Sequence, residues 1–97
     1  MRLGIASMAY DVEMDERKLE IEYPTRWEYR LIGRDAGKLR VAAAQAVGED
    51  EYELRFARQS SKGSYISMML TLEVRDEVHR NSLWEKLAAN EHVVTLL

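Results

Sequence analysis

Residues 52–74 read Tyr-Glu-Leu-Arg-Phe-Ala-Arg-Gln-Ser-Ser-Lys-Gly-Ser-Tyr-Ile-Ser-Met-Met-Leu-Thr-Leu-Glu-Val. Tyr52, Leu54 and Phe56 alternate with Glu53, Arg55 and Ala57. Ile66, Met68, Leu70, Leu72 and Val74 alternate with Ser67, Met69, Thr71 and Glu73. Period two on both sides of a polar stretch marks two strands, each with one buried face, joined as a hairpin. Both apolar sets fall on even numbers. Sharing a face therefore pairs Phe56 with Met68, Leu54 with Leu70 and Tyr52 with Leu72. That parity excludes a loop of two or four residues and allows three or five; the three-residue choice is Ser61-Lys62-Gly63, with Ser60 opposite Ser64. Gly63 then takes the left-handed position, where the absence of Cβ removes the steric penalty. Ser61 and Gly63 are the structural turn residues.

The remaining elements fall on either side of this hairpin. Before it, Trp27, Tyr29 and Leu31 alternate with Glu28, Arg30 and Ile32, which predicts a strand over Arg26–Gly33 after the boundary residue Pro24. Asp35 suits a helix N-cap, Gly48 a left-handed stop, and Leu39, Ala42, Ala43, Ala46 and Val47 form an apolar stripe between them. After the hairpin, Asp76 caps a second helix to about Ala89. Arg80, Leu83, Trp84, Leu87 and Ala88 make its inner stripe, and Asn90 ends it. The segment His92–Leu97 is β-branched and reads as a last strand. The order βαββαβ predicts a ferredoxin-like α+β sandwich: a four-stranded antiparallel sheet, order 4-1-3-2, with both helices on one face.

A chain of 97 residues allows one domain with a modest core. Residues 24–97 are read as that domain, and residues 1–23 as a mobile tail. With 46% apolar and 32% charged residues the domain is globular. Cysteine is absent, which excludes disulfides and thiolate chemistry and fits a reducing cytoplasm. No apolar run reaches the length of a membrane span. The net charge of −3 belongs to residues 1–23, where six acids face three bases; the domain itself is neutral. It lacks the positive field of a protein that grips nucleic-acid backbones.

Chemistry-bearing motifs are few. His79 and His92 have no partner at triad or metal-ligand spacing and read as solvated. No phosphate loop or zinc motif occurs, so no catalytic residue, metal or cofactor is expected. Lys62–Met68 occupies the place of an RNA-recognition signature on the third of the four strands in that topology. The aromatic platforms are missing, however: Ser64 and Ile66 stand where stacking rings are needed. Nucleic acid is therefore not the expected partner. The open sheet face would show Glu28, Arg30, Ile32, Glu53, Arg55, Ala57, Gln59, Tyr65, Ser67, Met69, Thr71, Glu73 and Thr95. Arg30, Arg55, Tyr65 and Ser67, with Lys62 at the hairpin tip, are the candidate recognition groups. Guanidinium and hydroxyl donors suit a carboxylate, a phosphate or a protein surface. A second subunit is a further candidate partner.

Tyr23-Pro24, Trp27–Gly33, the tip Ser60-Ser61-Lys62-Gly63-Ser64-Tyr65-Ile66-Ser67 and Leu83–Leu87 together resemble the bacterial YbeD-like family of unknown function, over about residues 22–97. The tip is the most specific part. Trp84 replaces the family's more usual tyrosine, and Ser64 a lysine or asparagine. The resemblance implies a small cytoplasmic bacterial protein with the ferredoxin-like fold. It also implies kinship with ACT-type regulatory domains, which bind small effectors and associate in pairs. The expected function is a non-catalytic, ACT-like regulatory module acting through a small anionic effector or a partner protein. A protein–protein adaptor without a small-molecule ligand is the second reading.

Overall fold

Thr25–Gly33 forms the first strand, β1, which enters after a cis Tyr23–Pro24 peptide. The computed structural model describes residues 21–97. The tail expected over 1–23 therefore lies, for residues 1–20, outside the described residues. From β1 the chain continues into helix α1 (Ala36–Val47), strands β2 (Glu53–Gln59) and β3 (Ile66–Val74), helix α2 (Glu77–Ala88) and strand β4 (Thr95–Leu96). The four strands form one antiparallel sheet in the order β2-β3-β1-β4, the order expected from the sequence read from its other edge.

Both helices begin where their capping residues place them. The Asp35 carboxylate accepts from the Lys38 N–H at 2.9 Å, and Asp76 accepts from His79 N–H at 2.8 Å. Each satisfies a first-turn donor that has no partner within its helix. Helix α1 stops at Gly48, whose φ of 77° is left-handed and whose N–H reaches the Ala44 carbonyl. Helix α2 stops differently. Asn90 turns the chain with its side-chain oxygen, which accepts from His92 N–H at 2.8 Å.

The core lies between the helices and one sheet face. Tyr29 and Leu31 of β1 and Met68, Leu70, Leu72 and Val74 of β3 meet Leu39, Ala42, Ala43, Ala46 and Val47 of α1. Helix α2 contributes Leu83 and Leu87. The alanines let α1 approach the sheet closely. Gly33, at the end of β1, marks a second close approach: a Cβ there would stand 2.5 Å from the His92 carbonyl oxygen and 2.8 Å from a Leu39 methyl. Gly33 is thus a packing residue rather than a turn glycine.

Three expectations are corrected by this packing. Trp84 is 44% exposed and Ala88 is exposed, so the buried stripe of α2 narrows to Leu83 and Leu87. Tyr52 and Phe56 have the expected parity but lie exposed, because α1 and α2 pack mainly over the other strands and of β2 only Leu54 meets the core. The last strand shortens to Thr95–Leu96, although Val94 and Leu97 extend its backbone bonding to Ile32 and Arg30. Among the described residues no helix is long and apolar enough to cross a membrane.

Candidate functional site

The site begins with a break in the β2–β3 ladder. Leu54 pairs with Leu70 and Phe56 with Met68, as parity requires, but the next partners are Arg58 with Ser67 and Gln59 with Ile66. Ala57 is the extra residue of a β-bulge. One inserted residue reverses the parity of everything that follows. The loop consequently has four residues, Ser61–Ser64, not three, and Ser60 stands opposite Tyr65. Ser60 N–H donates to the Tyr65 carbonyl at 2.8 Å, and its hydroxyl accepts from Tyr65 N–H at 3.1 Å. Gly63 N–H closes the turn on the Ser60 carbonyl at 2.9 Å, with Gly63 left-handed as expected, at φ 72°. Tyr52 precedes the ladder, whose first pair is Glu53 with Thr71.

The bulge also decides which side chains reach the open sheet face. Arg58 takes the place expected for Ala57 and Gln59, directly beside Ser67. Across the sheet the register gives successive rows: Ile32, Ser67 and Arg58; then Arg30, Met69 and Arg55; then Glu28, Thr71 and Glu53. Arg30 and Arg55 flank Met69 two strands apart, roughly 10 Å between backbones. Beyond Ile32, Arg34 lies on the same face. Its guanidinium stands 5.2 Å over the Tyr65 ring and donates to the Tyr65 hydroxyl at 3.1 Å. Charge is therefore graded along the face, with four arginines toward the hairpin end and Glu28, Glu53 and Glu73 toward the other. Among the described residues no acid lies within ion-pair distance of Arg30, Arg34, Arg55 or Arg58.

Ser67 sits at the centre of this arginine end. It is only 7% exposed, and its hydroxyl has no hydrogen-bond partner among the described residues. A short side chain on an inner strand is shaded by the longer Ile32, Arg58, Tyr65 and Met69 around it. Leaving such a hydroxyl unpaired costs about 1–3 kcal/mol. The arrangement can hold an oxyanion: guanidinium forks donate in parallel to two oxygens, and the serine O–H supplies a further donor.

Of the residues singled out from the sequence, Arg30, Arg55, Tyr65 and Ser67 come together on this face. Lys62 does not join them; it is exposed in the turn and makes no hydrogen bond or ion pair among the described residues. Arg34 and Arg58 belong to the group but were not among the expected residues. Arg34 carried a signal, since it continues the alternation of Arg30 and Ile32. Arg58 carried none, because only the bulge turns it to this side.

Two other places differ in character. A depression of about 680 Å³ lies toward the acidic end and is lined by Asp50, Glu51, Glu53 and Glu73 with Arg26 and Arg75. Its charges already meet, Arg75 with Asp50 at 2.9 Å and Arg26 with Glu53 at 3.6 Å, so it does not match an anion. His79, expected to be solvated, has a side chain only 10% exposed. Its Nδ1 accepts from Arg75 N–H at 3.0 Å, which places the proton on Nε2, 3.4 Å from Asp50. The imidazole ties the connection after α1 to the start of α2.

Residues 18–97 match the family described as protein of unknown function (DUF493). A UPF0250 protein of Shewanella halifaxensis is 30% identical over 90 residues, covering 90% of this chain and 98% of its own. An uncharacterised protein of Campylobacter jejuni is 28% identical over 79 residues, covering 81% and 91%. In three dimensions the chain is similar to a Helicobacter pylori protein solved in solution, with a TM-score of 0.74, 25% identity and coverage of 92% of this chain and 98% of that one.

Proposed function

The chain belongs to DUF493, the YbeD-like family of proteins of unknown function, and from that premise we propose that it is a cytoplasmic, non-catalytic, ACT-like regulatory module that binds a small anionic effector on its open sheet face. The observation that carries this reading is the buried, unpartnered Ser67 hydroxyl framed by Arg30, Arg55 and Arg58. Carboxylate and phosphate are the matching chemistries, because both present paired oxygens to a guanidinium fork.

Thermal unfolding in the presence of amino acids, other carboxylate metabolites and phosphate esters tests the proposal. A ligand that binds only the native state raises the midpoint by mass action, by about 2.7 kcal/mol of stability at a hundredfold excess over Kd. Arg30→Ala and Arg55→Ala are expected to abolish the shift while leaving the fold intact. A shift retained in both variants moves the site elsewhere. The exposed Phe56 and Tyr52 on β2 favour the second reading, an adaptor that engages another protein without a small ligand. An adaptor ignores the whole metabolite panel.

A further inference from the structure

Strand β2 is an edge of the sheet, and among its described helix-side residues only Leu54 packs against the core. Tyr52 and Phe56 stand 38% and 51% exposed there. An edge strand presents a row of unpaired N–H and C=O groups that can template another strand. The segment Glu51–Ala57, which ends at the bulge, is self-complementary when laid antiparallel on its own copy. With Leu54 opposite Leu54 of the second copy, Glu53 meets Arg55 and Tyr52 meets Phe56. Each opposed pair shares a face: the ion pairs fall on the open side and the aromatic pairs on the helix side. The two-fold axis repeats both pairs, so one register supplies two Glu–Arg and two Tyr–Phe contacts.

Neighbouring registers lack this match. An axis through Arg55 opposes like charges at the centre, and so does an axis through Glu53. An axis through Phe56 sets Arg55 against Ala57 and runs Leu54 into Arg58 beyond the bulge, where the faces no longer agree. Arginine has five N–H donors, so Arg55 can meet Glu53 of the second copy and still border the Met69 row. Glu53 now reaches only Arg26, at 3.6 Å with both side chains largely exposed, a weak pair that leaves its carboxylate available.

We propose that the protein forms a homodimer through β2, antiparallel about a two-fold axis at Leu54, which joins two sheets into one with the helices of both copies on the same side. This goes beyond effector binding and does not depend on it. Sedimentation velocity of the full chain across a concentration series is expected to show a monomer–dimer equilibrium. Glu53→Arg and Arg55→Glu each replace two attractive pairs by two repulsive ones and are expected to weaken association about tenfold. Combining Glu53→Arg with Arg55→Glu recreates the pairs in the opposite sense and is expected to recover it. Phe56→Ser, which removes the aromatic contact without altering charge, is expected to weaken association as well. Circular dichroism establishes that each variant is folded. A protein that stays monomeric at the highest concentration overturns the proposal. A dimer indifferent to either single charge change overturns it too, as does a double variant no better than the singles.

Discussion

Tyr29 carries a hydroxyl into the side of the core and satisfies it there, donating to the Arg80 carbonyl at 2.7 Å. The Arg80 guanidinium lies 4.8 Å over the Trp27 ring, and Trp84 flanks Tyr29 at 6.5 Å, so one aromatic cluster joins β1 to α2. Burial pushes the phenol from 10.0 up to about 12, with Arg80 opposing the rise. The native state therefore holds this proton more tightly than the unfolded chain does. Its contribution is constant below the unfolded value and is lost as pH rises from there through about 12. Tyr29→Phe is expected to cost about 1 kcal/mol at neutral pH through the lost bond, and to lessen the alkaline loss of stability. Denaturant titrations at neutral and strongly alkaline pH check both effects; parallel alkaline losses in parent and variant would reject the assignment. Two glycines also separate at this scale. Gly63→Ala carries a left-handed penalty of about 1–2 kcal/mol, with only the flexible Gln59 amide nearby at 3.3 Å. Gly33→Ala drives a methyl into a backbone carbonyl, an overpacking of about 1–3 kcal/mol or more. Gly33→Ala is expected to lower the denaturation midpoint further, and the reverse order would contradict the close approach.

At the scale of elements, the hairpin turns on Ala57. Pairing on either side of the bulge already puts Arg55 and Arg58 on one face. Deleting Ala57 is therefore expected to leave the fold intact and Arg58 beside Ser67, which cross-strand nuclear Overhauser contacts between the two would report; a swap of Arg58 to the helix side would disprove the bulge. Helix α2 relies on its start. Asp76 accepts from His79 N–H, and Glu77 adds a favourable charge in the first turn, with Lys86 in the last. Asp76→Ala is expected to cost about 1 kcal/mol and Asp76→Asn much less, since asparagine caps as well as aspartate. Equal losses in thermal unfolding would place the effect in charge instead of the cap.

On the scale of the molecule, a neutral domain turns out to carry separated charge. Its eleven acids and eleven bases balance, yet the sheet gathers four arginines toward one end of the open face and Glu28, Glu53 and Glu73, with Arg26 beside them, toward the other. Anion binding at the arginine end is consequently expected to weaken with ionic strength, since partly exposed charges are screened within about 10 Å at 0.1 M salt. A ligand-induced thermal shift unchanged between low and high salt would argue against an arginine site. The core is likewise uneven. It sits under α1 and α2 over β1 and β3, and β2 reaches it only through the partly buried Leu54. Leu70→Ala in the centre is expected to cost about 2–5 kcal/mol, whereas Phe56→Ala at the exposed edge is expected to cost far less in chemical denaturation of the monomer.

Local chemistry was enough for the elements. Alternation at 27–31, 52–56 and 66–74, the caps Asp35 and Asp76, the helix stop at Gly48 and the turn glycine Gly63 are written in neighbouring residues, and the four-strand order follows from connection rules. The candidate site was half legible. Arg30, Arg55, Tyr65 and Ser67 follow from alternation alone. Arg58 does not, because a bulge is an irregularity of pairing that adds a residue without altering the polarity pattern. The exposure of Phe56, Tyr52 and Trp84 and the burial of His79 were equally hidden. Periodicity states which residues share a face; only the placement of two helices over a four-stranded sheet decides how much of that face they cover. A helix is too narrow to cover every strand, so the edge it leaves bare is a property of the assembled fold.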